Sequence, residues 1–331
     1  MNRPCRRVTH RVSFFFVLGF LINLTFVKAL PLKPILSLQQ ITKHYGRIRA
    51  LDQVSFEVPE GSVFGILGPN GSGKTTLLGV IMDVLKADHG QYSWFGQPPS
   101  EEQRRQIGTL LETPNFYHYL SGEKNLQVAA AIKQRSRDDI PRVLDLVRLT
   151  ERRQSRFNTY SLGMKQRLAI ASCLLGNPAV LVFDEPTNGL DPAGIAEIRQ
   201  LIRQLAREGK TIILASHLLD EVEKVCTHVA ILQKGQLITA GQVNEVLVNE
   251  EMAEVGAADL ASLKSLLLNW HGVKQVRESD TRLQVFFENG DIDLSSMNQY
   301  CFNHGIVLNH LQWRKRSLES KFIELTGNTS N

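Results

Sequence analysis

Short runs of consecutive apolar residues alternate with helix-spaced apolar positions over much of the chain. Val63 to Leu67, Val180 to Phe183 and Thr211 to Ala215 are continuous apolar stretches of strand length. A strand that is apolar on both faces belongs inside a mostly parallel sheet with helices on either side. Helix-spaced apolar residues over Lys74 to about Leu85, Ser161 to Leu175 and Ala193 to Arg207 supply those helices. The breakers Gly176-Asn177-Pro178 and Gly209 close the last two. Ile35 to Leu38 and Val54 to Val58 read as strands around a turn at Tyr45-Gly46, and Tyr92 to Phe95 and Gln106 to Leu111 as two more. Glu123 to Lys133 and Ile140 to Val147 predict an inserted helical lobe, over about residues 113–165. His228 to Gln233 and Gln236 to Thr239, joined by Lys234-Gly235, predict a closing hairpin.

After residue 250 the pattern changes. Met252 to Val255, a helix carrying Leu260, Leu263, Leu267 and Trp270 on one face, Val273 to Val276, Leu283 to Phe287, a helix from Ser295 to His304 and Ile306 to Leu311 give the order βαββαβ. That order predicts a small ferredoxin-like α+β domain with a terminal helix at Leu318 to Thr326. The expected division is an extension over 1–34, a large α/β domain over 35–245 and an accessory domain over 250–331.

Composition alters this picture at one end only. The 331 residues carry a net charge of +5, but Arg3, Arg6, Arg7, Arg11, Lys28 and Lys33 precede any acid. Removing these six charges from +5 leaves −1 for the rest, so no basic nucleic-acid face is expected. An apolar run from Val12 to Val27 follows, and Val27-Lys28-Ala29 resembles a signal-peptidase site. A signal peptide, a short membrane anchor and translation assigned upstream of the true start compete, and the third is favoured. The cysteines Cys5, Cys173, Cys226 and Cys301 form neither a C-x-x-C pair nor a metal-binding spacing and read as reduced thiols.

The chemistry begins where the first buried strand ends. Gly68-Pro69-Asn70-Gly71-Ser72-Gly73-Lys74-Thr75 matches the phosphate-binding loop, in the strand, loop, helix context that such a loop requires. Its glycines let backbone N–H groups converge on phosphate oxygens, and the following helix aims its positive end at the same anion. Lys74 is expected to neutralise β- and γ-phosphates, Thr75 to ligate Mg²⁺, and Thr76 to join the nucleotide contacts. Asp184 and Glu185 end a buried strand; Asp184 is expected to hold Mg²⁺ through its water shell, and Glu185 to act as general base toward water.

Tyr160-Ser161-Leu162-Gly163-Met164-Lys165-Gln166-Arg167, followed by Asp184-Glu185-Pro186-Thr187-Asn188-Gly189-Leu190-Asp191, resembles the signature and D-loop of the ABC ATPases. The resemblance is strong over residues 35–245 and loose over 250–327. It implies an α/β P-loop NTPase fold of the ABC type, with an antiparallel β subdomain and a helical subdomain. It also implies that Ser161 and Gly163 contact the γ-phosphate bound by an opposite protomer, with Asp191 at the same interface, in a homodimer or paired ATPase. His217 falls at the switch-histidine position, which implies a hydrogen bond to the γ-phosphate, and Tyr45 where an aromatic ring stacks on adenine. Met164 stands where the family commonly has Gln.

Glu112, within Ile107-Gly108-Thr109-Leu110-Leu111-Glu112-Thr113-Pro114, replaces the usual glutamine that senses Mg²⁺ and links to the permease. That variant, and Arg314-Lys315-Arg316-Ser317-Leu318-Glu319 before Phe322-Ile323-Glu324-Leu325-Thr326-Gly327, resemble peptide-antibiotic immunity and bacitracin-resistance-type exporters. The implied role is an ATP- and Mg²⁺-dependent ATPase on the cytoplasmic face of the membrane, driving a separate permease. An ABC ATPase of translation or DNA maintenance is the alternative, and a phosphate-loop kinase would leave the signature and Asp191 unexplained.

Overall fold

The computed structural model describes residues 34–111, 115–246, 252–279, 281–287 and 293–314. The signal-like segment, Glu112 and the terminal helix expected at Leu318 to Thr326 lie outside them.

Strands β1 (Pro34–Tyr45) and β2 (Ile48–Pro59) form an antiparallel hairpin whose pairing reaches Tyr45↔Ile48. Both are longer than their apolar runs, because one face is wet and polar residues such as Ser37, Gln39 and Lys43 alternate with core residues. Gln40 and Gln53, at φ 53° and 52°, sit where the pairing register shifts. β3 (Val63–Leu67) is buried throughout and delivers the chain into the loop ahead of α1 (Lys74–Ile81). The helix stops at Ile81, short of the expected Leu85. Asp83 turns to φ 60°, and Gly79 O accepts the N–H groups of Val84 and Leu85 at 2.9 and 3.0 Å.

β4 (His89–Trp94) pairs with β1 and completes a three-stranded antiparallel sheet in the order β2-β1-β4. A short helix the apolar pattern did not reveal, α2 (Glu101–Arg105), is started by a Ser100–Gln103 capping box and leads into β5 (Ile107–Leu110). Helices α3 (Gly122–Ile132) and α4 (Ile140–Leu146) pack against α5 (Leu162–Leu174). Then follow β6 (Val180–Asp184), α6 (Pro192–Arg207), β7 (Thr211–Ser216), α7 (Leu219–Val225), the hairpin β8 (His228–Gln233) and β9 (Gln236–Gln242), and α8 (Val243–Val246).

The larger sheet has the order β5-β6-β7-β3-β8-β9, parallel except for β9. Its two faces explain the continuous apolar runs. Along β6, Val180 and Val182 join the core shared with α1 and the antiparallel sheet, whereas Leu181 and Phe183 join the core under α5 and α6. Helix α1 lies between the two sheets, with Leu77, Leu78, Val80 and Ile81 all buried. Trp94 anchors this layer: it is fully buried and its indole N–H donates to Ile81 O at 2.8 Å. Trp94→Ala is expected to cost about 3–5 kcal/mol, read as a lower denaturant midpoint in equilibrium unfolding.

Residues 252–314 form a third hydrophobic cluster. β10 (Met252–Ala257), α9 (Leu260–Leu268), β11 (Val273–Ser279), β12 (Arg282–Phe287), α10 (Leu294–Asn303) and β13 (Leu308–Arg314) make an antiparallel sheet ordered β11-β12-β10-β13. Both helices bury apolar residues, Leu263 and Leu267 from one and Met297 and Cys301 from the other, against Ala253, Val255, Leu283 and Val285.

Candidate functional site

Adjacency of β6, β7 and β3 in the sheet brings the carboxyl ends of three strands that are remote in sequence to one place. Such strand ends are where open α/β sheets bind ligands. From β3 comes the loop 68–73, from β6 come Asp184 and Glu185, and from β7 comes His217.

The loop leaves no room for larger residues. A Cβ on Gly68 would run into Leu232 O and the Ser72 hydroxyl, and one on Gly73, at φ 105°, would lie 2.6 Å from Ala50 O. Gly73 caps α1, so the amide-rich end of the helix opens into the loop. Lys74 is 6% exposed, and its ammonium donates to Gly68 O at 2.8 Å and Pro69 O at 3.3 Å. The same nitrogen lies 3.7 Å from Glu185 Oε1. Thr75 Oγ1 donates to Asp184 Oδ2 at 2.9 Å. Asn70 and Gly71 are exposed on the loop, and Thr76 is half-buried in the first turn of α1.

Glu185 adopts φ 47°, a conformation uncommon for a residue with a side chain, while its N–H donates to Ala215 O at 3.0 Å. That turn carries its carboxylate to His217, with Oε2 2.9 Å from Nδ1. Lys74, Glu185 and His217 thus form a connected row beside the Thr75–Asp184 pair. The row joins a cation, a base and a hydrogen-bonding ring, as proton abstraction next to a phosphate requires.

Other expected residues lie elsewhere. Tyr45 ends β1 and is 47% exposed, with Lys43 Nζ 5.9 Å from its ring centroid. Ser161 caps α5, its hydroxyl accepting from Met164 N at 3.3 Å, and remains exposed; a Cβ on Gly163 would meet nothing within 4 Å. Among the described residues no hydrogen bond joins Ser161 or Gly163 to Lys74 or Glu185 of the same chain. Asp191 caps α6, accepting from Gly194 N at 3.0 Å. An aspartate that only caps would cost about 1 kcal/mol of stability on replacement by Ala. If Asp191 also serves the site, Asp191→Ala lowers ATP turnover far more than the melting temperature, which paired activity and thermal-unfolding measurements separate.

Sequence reasoning missed the brace behind the loop. Gly235 N donates to Ser72 O at 3.0 Å, and a Cβ on Gly235 would lie 2.7 Å from Ala50 O. The only sign of this was the Lys234-Gly235 dipeptide, which marked a hairpin turn. Burial pushes the Cys173 thiol up to about 11 and raises the Cys226 thiol as well, which favours the protonated form of both.

The residues fit a magnesium nucleotide on two observations. The Ser72 hydroxyl, within the glycine loop, is buried without a hydrogen-bond partner among the described residues. Thr75 and Asp184 place two hard oxygen donors side by side, too few to hold a cation alone, as suits one completed by phosphate and water.

The ABC transporter family model matches residues 51–188. The ABC transporter ATP-binding protein YhcH of Bacillus subtilis (strain 168) is 39% identical over 304 residues, covering 90% of this chain and 98% of that protein. The bacitracin transport ATP-binding protein BcrA of Bacillus licheniformis is 33% identical over 300 residues, covering 88% and 97%. The dimeric ABC transporter cassette MJ0796 superposes with a TM-score of 0.57 at 27% identity, covering 63% of this chain and 98% of that one. The chain belongs to the ABC transporter family as an ATP-binding and ATP-hydrolysing protein.

Proposed function

We propose that two copies of this chain close head to tail on two ATP molecules and that the cycle of closure and hydrolysis drives export of a peptide antibiotic through a separate permease. The observation that carries this reading is the division of the chemistry. Lys74, Thr75, Asp184, Glu185 and His217 are gathered in one place, while at the N-terminus of α5 Ser161 is exposed and a Cβ on Gly163 would meet nothing within 4 Å. A capped helix end with small residues is a physical receptor for an anion. A partner copy supplies the missing phosphate face.

Within the site, loop amides and Lys74 hold the phosphates, and Tyr45 offers its exposed ring to the base. Thr75 and Asp184 would hold Mg²⁺, which supplies charge neutralisation between the phosphates. Glu185 takes a proton from water as it attacks, and His217 fixes the orientation of that carboxylate. The proposed organisation assigns residues 35–245 to this ATPase and residues 250–331 to a ferredoxin-like accessory domain.

Transport of peptide antibiotic rests on likeness to BcrA, whose name states bacitracin transport. Among the described residues no helix is long and apolar enough to cross a membrane, so the pore is assigned to another polypeptide. Affinity purification of tagged protein from detergent-solubilised membranes, followed by peptide sequencing, tests the partner. A polytopic membrane protein in roughly stoichiometric yield is expected; its absence together with unaltered bacitracin sensitivity of a deletion strain contradicts the reading.

A further inference from the structure

Away from the ATP site, at the amino end of β5 and beside the loop leading into β6, lies a groove of about 310 Å³. One wall is α2 and the start of β5; the other is the carboxyl end of α3 and the turn beyond it. Arg104, Arg105 and one carboxylate, Glu101, line the first wall, and Lys133 and Arg135 the second. The floor is apolar, built from Ile107, Leu175 and the buried Cys173.

Charge in this groove is unbalanced. Arg104 pairs with Asp83 at 2.8 Å and Arg105 with Glu101 at 2.8 Å. Lys133 and Arg135 instead donate to carbonyls: Lys133 Nζ to Ser172 O at 2.7 Å, and Arg135 to Arg105 O. No ion pair with a carboxylate is found for either among the described residues. Both are half-buried, so water screens them less than it does a surface lysine. Two anchored cations without counter-charge, with two guanidinium groups opposite, suit a compact multivalent anion, and arginine forks match phosphate oxygens.

We propose that this groove is a second anion site, selective for a phosphate-bearing ligand, either the headgroup of an anionic lipid or a free polyphosphate. An anion seated there bridges α2 to the end of α3. Helix α3 packs on α5, so occupancy braces the helical lobe against the edge of the sheet.

The test uses the full chain with its nucleotide site filled by a saturating non-hydrolysable ATP analogue. One arm titrates inorganic pyrophosphate by calorimetry. The other measures cosedimentation with phosphatidylglycerol vesicles against phosphatidylcholine vesicles. Binding in at least one arm is expected, and K133Q/R135Q should weaken it at least about tenfold while leaving analogue affinity unchanged. K133R, which keeps the charge, should retain binding and guards against a folding artefact. Pyrophosphate binding alone identifies a soluble anion, and phosphatidylglycerol binding alone a lipid headgroup. No binding in either arm, or binding that K133Q/R135Q leaves intact, overturns the proposal.

Discussion

Glu185→Gln is expected to lower ATP turnover at least about a hundredfold while leaving nucleotide binding in place, because a positioned general base contributes 10²–10⁴-fold. The amide has the size of the carboxylate and can keep contact with His217, so the φ 47° turn and its bond to Ala215 O persist. What is lost is the capacity to accept a proton. Phosphate release under steady-state conditions reads the chemical effect. Gel filtration with light scattering reads the second consequence: a closed dimer that cannot hydrolyse its ATP should accumulate. A variant within about fivefold of the parent would remove Glu185 from the chemistry.

Lys74→Ala should act earlier, on binding. Its ammonium is buried, held by Gly68 O and Pro69 O, and stands 3.7 Å from Glu185. Charge-assisted hydrogen bonds are worth about 1.5–3 kcal/mol each, so losing contacts to two phosphates should weaken ATP binding at least about a hundredfold. Titration with a fluorescent ATP analogue measures the loss, and a retained unfolding transition shows that the loop still folds. Unlike Glu185→Gln, this variant should not form the ATP-dependent dimer.

Local signals were legible in the sequence and long-range ones were not. The phosphate loop is written in eight consecutive residues, because its conformation depends on glycines and on the helix that follows. Val180 to Phe183 and Thr211 to Ala215 announced buried strands through unbroken apolarity, and the structure assigns their alternate residues to two cores. The length of β1 and β2 was hidden, since a half-wet sheet mixes polar residues into its strands. The early end of α1 was hidden as well, because Met82, Val84 and Leu85 continue an apolar pattern while Asp83 leaves the helix. Asp184 and Glu185 could be named from their place at the end of a buried strand and His217 by resemblance, but their meeting depends on the strand order, which no local pattern encodes. The support that Gly235 and Ala50 give the loop is likewise a tertiary fact.

The central claim is that each ATP site is shared by two copies, and a mixing experiment addresses it most directly. Lys74→Ala disables one face of the site and Ser161→Arg the other, so each variant alone should be nearly inactive. In a shared arrangement the mixed dimer holds one site with both faces intact. With random pairing of equal amounts and independently working sites, ATPase activity should recover to about one quarter of the parent's. Activity in the mixture no greater than the mean of the two separate variants would contradict the account.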